Sequence, residues 1–163
     1  MLLSIILIPF ITALILLFIK DAKKANTIAL VTNAATLAVS IWIAMKGAPD
    51  FNQAWIPALN SQFLLHADGL AKILVLLTAI SFPVILMSSA SNQIAQKNKF
   101  ISLLLFTQAG LLGVFLEGDA LLFYFFWELA LIPVYFLCSI WGGERRIAVT
   151  FKFFISIYNT IKY

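Results

Sequence analysis

Seven carboxylates are the main acid–base groups of this 163-residue chain, and their positions divide cleanly. Asp21, Asp50, Asp68, Glu117, Asp119 and Glu144 fall between apolar runs or at their ends, where water reaches them. Glu128 does not. It lies eight residues into the apolar run Ala120–Trp141, about 12 Å along a helix that rises roughly 1.5 Å per residue. No basic residue of the same run can neutralise it. An acidic side chain at the centre of a membrane helix costs about 2.5–3.5 kcal/mol on insertion scales. Glu128 is therefore expected to face protein or a water-filled cavity and to pair with a group on another helix. A carboxyl group held between desolvation and a nearby cation can take up and release a proton. The plainer alternative is a packing residue, hydrogen-bonded to a neighbour and chemically idle.

The other polar groups carry less. Pro133, five residues beyond Glu128, has no N–H to offer the carbonyl of Leu129, so a kink and a freed acceptor are expected one turn past the carboxylate. Pro9 and Pro83 predict kinks alone. Lys152 is close enough to Arg146 to snorkel back to the interface along its stem, and Lys72 sits only a turn from the opposite surface. His66 reads as a surface histidine, and Cys138 as an apolar filler. The run Phe123, Tyr124, Phe125, Phe126 and Trp127 covers every side of a helix, which suits lipid and helix packing. A Gly-rich phosphate loop, a His/Cys metal cluster and a Gly-x-Ser-x-Gly elbow are all absent from the sequence. One cysteine excludes an internal disulfide framework, and with one histidine it is too few for a usual structural zinc site.

The elements that must position Glu128 follow from composition. Apolar residues make up 63% of the chain and charged residues 11%, against about 25% charged in soluble domains; the mean hydropathy is +1.02. That balance excludes a disordered segment and argues against a water-soluble domain. The net charge of +4 points to loops held against an anionic membrane face rather than to nucleic acid, since no basic cluster is long enough to form a stripe. Five runs reach the ~17–25 residues that a helix needs to cross a bilayer: Leu2–Ile19, Ile28–Met45, Leu70–Ser91, Phe100–Leu116 and Ala120–Trp141. A sixth, Ile147–Ile161, is short and carries Lys152 and Asn159. No run alternates as a barrel strand does, so the expected class is an all-α membrane protein with five full spans and an incomplete sixth, forming one domain over residues 1–163.

Basic residues set the expected topology. Lys20, Lys23 and Lys24 follow the first run, Lys97 and Lys99 the third, and Arg145 and Arg146 the fifth. These seven fall on one side, which faces the cytoplasm (or an organelle's matrix) and leaves the N-terminus outside. The first run lacks a positive segment before it and a small-residue cleavage site after it, so it is expected to be retained rather than removed as a signal peptide. The long outer connection from Lys46 to Asp68, with Pro49, Trp55 and Pro57, is expected to be an ordered interfacial strip.

At the fifth run the wording is specific. Asp-Ala-Leu-Leu-Phe-Tyr-Phe-Phe-Trp-Glu-Leu-Ala-Leu-Ile-Pro-Val-Tyr-Phe-Leu (Asp119–Leu137), followed by Ile-Trp-Gly, resembles the corresponding stretch of the subunit M family of NADH-quinone oxidoreductase, respiratory complex I. Leu-Ile-Pro-Phe near the N-terminus, Trp-Ile-Pro in the outer loop and Asp-Gly-Leu (Asp68–Leu70) agree in order. Thr150, Lys152, Phe153, Phe154 and Ile155 resemble the start of that family's sixth span, so the resemblance covers Met1 to about Ile155. It implies an antiporter-like transmembrane domain in the membrane arm, with Glu128 on the family's fifth-span glutamate. That residue is thought to act as a proton relay by pairing with a lysine of the seventh span.

The resemblance further implies that NADH, flavin, iron–sulfur clusters and quinone are handled by partner subunits, with no cofactor in this chain. The partners would be other complex I membrane-arm subunits and the lipid bilayer, in the bacterial cell (inner) membrane rather than a mitochondrial inner membrane. Members of the family are much longer, and Ser-Ile-Tyr-Asn-Thr-Ile-Lys-Tyr at the end departs from their pattern. A truncated or split N-terminal fragment is the expectation. Two alternatives stand beside it: a subunit of a multisubunit cation/proton antiporter, and a truncated remnant that transports nothing.

Overall fold

Each apolar run is bounded by residues that stop or start a helix, and the computed structural model places six helices on them. It describes residues 1–59, 61–90, 94–143 and 146–161, with residues 59, 90 and 158–161 described by their backbone alone. Ser91, Glu144, Arg145 and Lys162, and the side chain of Asn159, lie outside what is described. The helices are α1 (Leu2–Phe18), α2 (Ala22–Lys46), α3 (Gly69–Ala90), α4 (Lys97–Leu116), α5 (Ala120–Trp141) and α6 (Arg146–Ile161). Asp21 caps α2 by accepting the backbone N–H of Lys23 at 2.9 Å, and Asp68 accepts that of Ala71 at 2.6 Å in the first turn of α3. Gly47 ends α2 at φ 73°, in the left-handed region where a side chain would be strained. Pro9, Pro83 and Pro133 all lie inside continuous helices.

Two expectations are corrected. α2 and α4 start before their apolar runs and carry Lys23, Lys24, Lys97 and Lys99 in their first turns. Backbone hydrogen bonding continues through polar residues once a helix has formed, and the apolar run alone could not show this. The chain is also not all-α. The connection from Lys46 to Asp68 is ordered, as expected, but as an antiparallel hairpin of β1 (Phe51–Ile56) and β2 (Ser61–Leu65) around a short 3-10 turn. Phe51 pairs with Leu65 and Gln53 with Phe63, and an irregularity in register falls between Ala54 and Ile56.

Among the described residues, α2, α3, α4 and α5 are long and apolar enough to cross a membrane, and α1 is a shorter apolar helix of 17 residues. α4 is the hub, packed against α1, α2, α3 and α5. It approaches α5 closely because Gly110 lies on the backbone of Ala130 and Gly113 on the ring of Phe126, the small-residue packing favoured where lipid removes the hydrophobic drive between helices. Two apolar clusters fill the bundle. One joins Leu2, Ile5, Ile43, Val75, Leu112, Leu116 and Phe126, and the other joins Ala13, Leu16, Ala29, Phe82, Leu86, Ile101 and Leu105.

Lys20, Lys23, Lys24, Lys97, Lys99 and Arg146 share one end, while Lys46 and Lys72 flank the hairpin at the other. Asn98 Nδ2 donates to the Ile19 carbonyl at 2.9 Å, and Trp141 Nε1 donates to the Ala95 carbonyl at 2.8 Å. These bonds bring the α1–α2, α3–α4 and α5–α6 connections together. The hairpin occupies the other end, where the Leu65–Glu117 bridge joins β2 to the end of α4.

Candidate functional site

α5 is started by Asp119, whose carboxylate accepts the backbone N–H groups of Leu121 at 2.9 Å and Leu122 at 3.3 Å. Its buried face is Leu122, Phe126, Ala130 and Pro133. Glu128 follows Phe126 by two residues, roughly 200° around a helix of about 3.6 residues per turn, so it stands on the side of α5 away from that face. There it is half-buried and lines two grooves. One, of about 490 Å³, lies between α5 and α6 and is walled by Leu131, Tyr135, Phe151, Phe154 and Ile155. The other, of about 310 Å³, is walled by Trp55 of the hairpin with Tyr124, Leu129 and Ile132. Among the described residues Glu128 has neither an ion-pair nor a hydrogen-bond partner.

Glu128 thus lines protein-walled grooves, and the described residues include no partner for it on another helix. Lys152 is exposed on α6 and makes no ion pair among the described residues. Leu129, whose carbonyl Pro133 leaves free, lines the same groove as Glu128. Trp127, stacked on Phe123 at 5.6 Å, buries its Nε1 without an acceptor among the described residues. That buried indole N–H was not singled out from the sequence, where Trp127 reads as one member of an aromatic run. Phe123, Tyr124 and Phe125 are exposed and Phe126 is buried, as a run covering all sides of a helix must be. Cys138, read as an apolar filler, is exposed on α5.

The remaining acids gather at the hairpin end. Asp119 also accepts the Ser61 hydroxyl at 2.9 Å and the Gln62 N–H at 3.2 Å, which clips β2 to the start of α5. The Gln62 N–H foremost, with the Ser61 hydroxyl and the Leu121 and Leu122 N–H groups, holds the Asp119 carboxyl below the usual aspartate value, against desolvation that raises it. Burial pushes the neighbouring Glu117 up, opposed by its hydrogen bond from the Asp119 N–H and reinforced by the Asp119 charge. His66 is on the surface, as expected, and its Nδ1 lies 2.7 Å from Asp50 Oδ1. Both partners are about half exposed, so the pair adds little stability. Among the described residues, no group of three or more His, Cys, Asp or Glu could hold a metal ion.

The sequence is 33% identical to F(420)H(2) dehydrogenase subunit M of Methanosarcina mazei over 157 residues, covering 92% of this chain and 32% of that protein. It is 34% identical to NADH-quinone oxidoreductase subunit M of Escherichia coli over 171 residues, covering 92% and 33%. It is 36% identical to NAD(P)H-quinone oxidoreductase chain 4 1 of Microcystis aeruginosa over 164 residues, covering 93% and 31%. No family model matches the chain. Its fold is similar to a chain of respiratory complex I from Thermus thermophilus with bound NADH, with a TM-score of 0.83 over 95% of this chain and 32% of that one, at 22% identity. The resemblance read from Asp119–Leu137 is therefore borne out, and the chain spans about a third of the length of the curated relatives it matches. With four helices of span length, it is an integral membrane protein.

Proposed function

We propose that this chain is part of the membrane arm of an NADH-quinone oxidoreductase, where Glu128 relays protons while electron transfer from NADH to quinone proceeds in partner subunits. The observation that carries this reading is Glu128 itself: a half-buried carboxylate within a 22-residue apolar helix, lining two grooves and left without a partner among the described residues. An intramembrane carboxylate is costly enough that function is its default explanation. The grooves give a cationic side chain of a neighbouring helix access to Glu128 from either side of α5. Movement of such a cation toward or away from the carboxylate changes its hold on a proton, and the redox reaction supplies the energy for that movement.

The names of the relatives support a division of labour. They differ in the electron donor, F(420)H(2), NADH or NAD(P)H, and share the designation of subunit M or chain 4. A stretch common to enzymes with different donors has no reason to carry donor chemistry, so on this reading the flavin and iron–sulfur clusters that take electrons from the donor belong to partners. In this reading the basic end, with Lys20, Lys23, Lys24, Lys97, Lys99 and Arg146, faces the cytoplasm of a bacterial cell, and the N-terminus and hairpin face out. α1 then completes a set of five spans as an antiporter-like domain, and α6 begins the next.

Purification of a tagged chain from native membranes in mild detergent tests the assembly. Co-isolation with the other membrane-arm subunits and NADH-dependent quinone reduction is the expected result. Isolation with the subunits of a cation/proton antiporter, or of the chain alone, contradicts it.

A further inference from the structure

The apolar interior of the α1–α4 bundle is interrupted midway by a polar layer. Along α4, Ile101 and Leu105 belong to one apolar cluster and Leu112 and Leu116 to the other. Gln108 lies between them on the same face, by the three- and four-residue spacing of a helix. The same gap opens in α2, whose buried residues between Ala29 and Ile43 are Thr32, Asn33, Thr36 and Ser40. Thr32 and Thr36 satisfy their hydroxyls on the preceding turn, and Thr32 Oγ1 also meets Thr12 Oγ1 of α1 at 3.1 Å. Asn33 Nδ2 donates to the Ala29 carbonyl at 2.9 Å. Two residues stand apart from this accounting. Gln108 is 0% exposed with neither Oε1 nor Nε2 bonded among the described residues, and Asn33 is 0% exposed with Oδ1 likewise unbonded.

A primary amide sealed from solvent with no hydrogen bond is a costly arrangement, and native proteins meet that cost with a protein group or an ordered water. We propose that this layer is a binding site for structural water, held by the Gln108 amide on α4 and by Asn33 Oδ1 on α2. Water fits both because it donates to Asn33 Oδ1, whose Nδ2 is already held by the Ala29 carbonyl, and can donate to Oε1 or accept from Nε2 whichever way the Gln108 amide is turned. The site is separate from Glu128. Gln108 lies two residues, roughly 200° of helix, from Gly110 on the α5-facing side, so α4 itself stands between the water layer and the carboxylate. Its role is to satisfy a polar seam that fixes the register of α2 against α4 within lipid.

The test uses the full chain in a lipid nanodisc, at a resolution that shows ordered water, with Gln108→Met as the variant of similar shape. The expected result is a solvent peak within hydrogen-bonding distance of the Gln108 amide, lost in the variant together with a downward shift in Tm. A Gln108 amide bonded to another protein group, or a dry site whose Gln108→Met variant melts higher because an unsatisfied amide has been removed, overturns the proposal.

Discussion

The Asp119 carboxylate accepts the Ser61 hydroxyl, 58 residues earlier, at 2.9 Å while capping the helix that carries Glu128. One side chain therefore joins the hairpin to the start of α5. Its folded value lies below the ordinary 3.8, so the stability it contributes is complete above that value and is lost as pH falls through the lowered one. Hydrogen exchange at the Gln62, Leu121 and Leu122 amides should lose protection across that acid range. Asp119→Asn, which keeps an acceptor but no charge, should remove the dependence. Protection that is flat with pH in the unaltered chain contradicts this account of the clip.

Glu117 works in the opposite direction. Burial raises its folded value above the ordinary 4.5, so the ionised group disfavours the folded state at neutral pH, and that cost is relieved as pH falls through the raised value. Acidification should first raise stability slightly and only later lower it through Asp119. Glu117→Gln should raise the neutral-pH Tm and abolish the first phase. A monotonic fall in both forms argues against it.

Close packing of α4 on α5 leaves no space for a methyl group. A Cβ at Gly113 overlaps the Phe126 ring, and one at Gly110 comes within 2.6 Å of the Ala130 nitrogen. Overpacking of this kind costs about 1–3 kcal/mol. Gly113→Ala and Gly110→Ala should each lower the melting temperature in detergent, Gly110→Ala the more stubbornly because it meets backbone. Unchanged melting in both variants would mean that the two helices stand further apart.

Phe63 of β2 meets Phe51 at 5.9 Å, Trp55 at 6.2 Å and Phe126 at 6.2 Å, all edge to face. Such pairs contribute about 0.5–1.5 kcal/mol each beyond area burial, so Phe63→Ala should cost about 2–4 kcal/mol and loosen the hairpin before the bundle. Limited proteolysis is the measurement, with faster cleavage between residues 51 and 65 expected and cleavage at the unaltered rate counting against the role.

Helix existence was legible in the sequence because lipid demands long apolar runs, and Asp21, Gly47, Asp68 and Gly142 mark their limits. The location of Glu128 was legible for the same reason: a charge within such a run is conspicuous. The hairpin was not legible, since Asn52, Gln53 and Gln62 give β1 and β2 no clear alternation and their pairing is decided across the turn. The burial of Gln108 and Asn33 was hidden as well. A helix that is apolar nearly all round carries no stripe to say which face points inward, so only the packing of α1–α4 reveals that these amides are enclosed. Glutamine and asparagine inside apolar runs were the available signal.

The most direct measurement is proton translocation per electron in sealed membranes holding the assembled enzyme, with Glu128→Gln and Glu128→Asp compared against the unaltered chain. The account predicts that Glu128→Gln sharply reduces translocation while the assembly stays intact, and that Glu128→Asp, which keeps an exchangeable proton, restores a substantial part of it. Full translocation by an assembled Glu128→Gln enzyme would contradict the relay and leave Glu128 a packing residue.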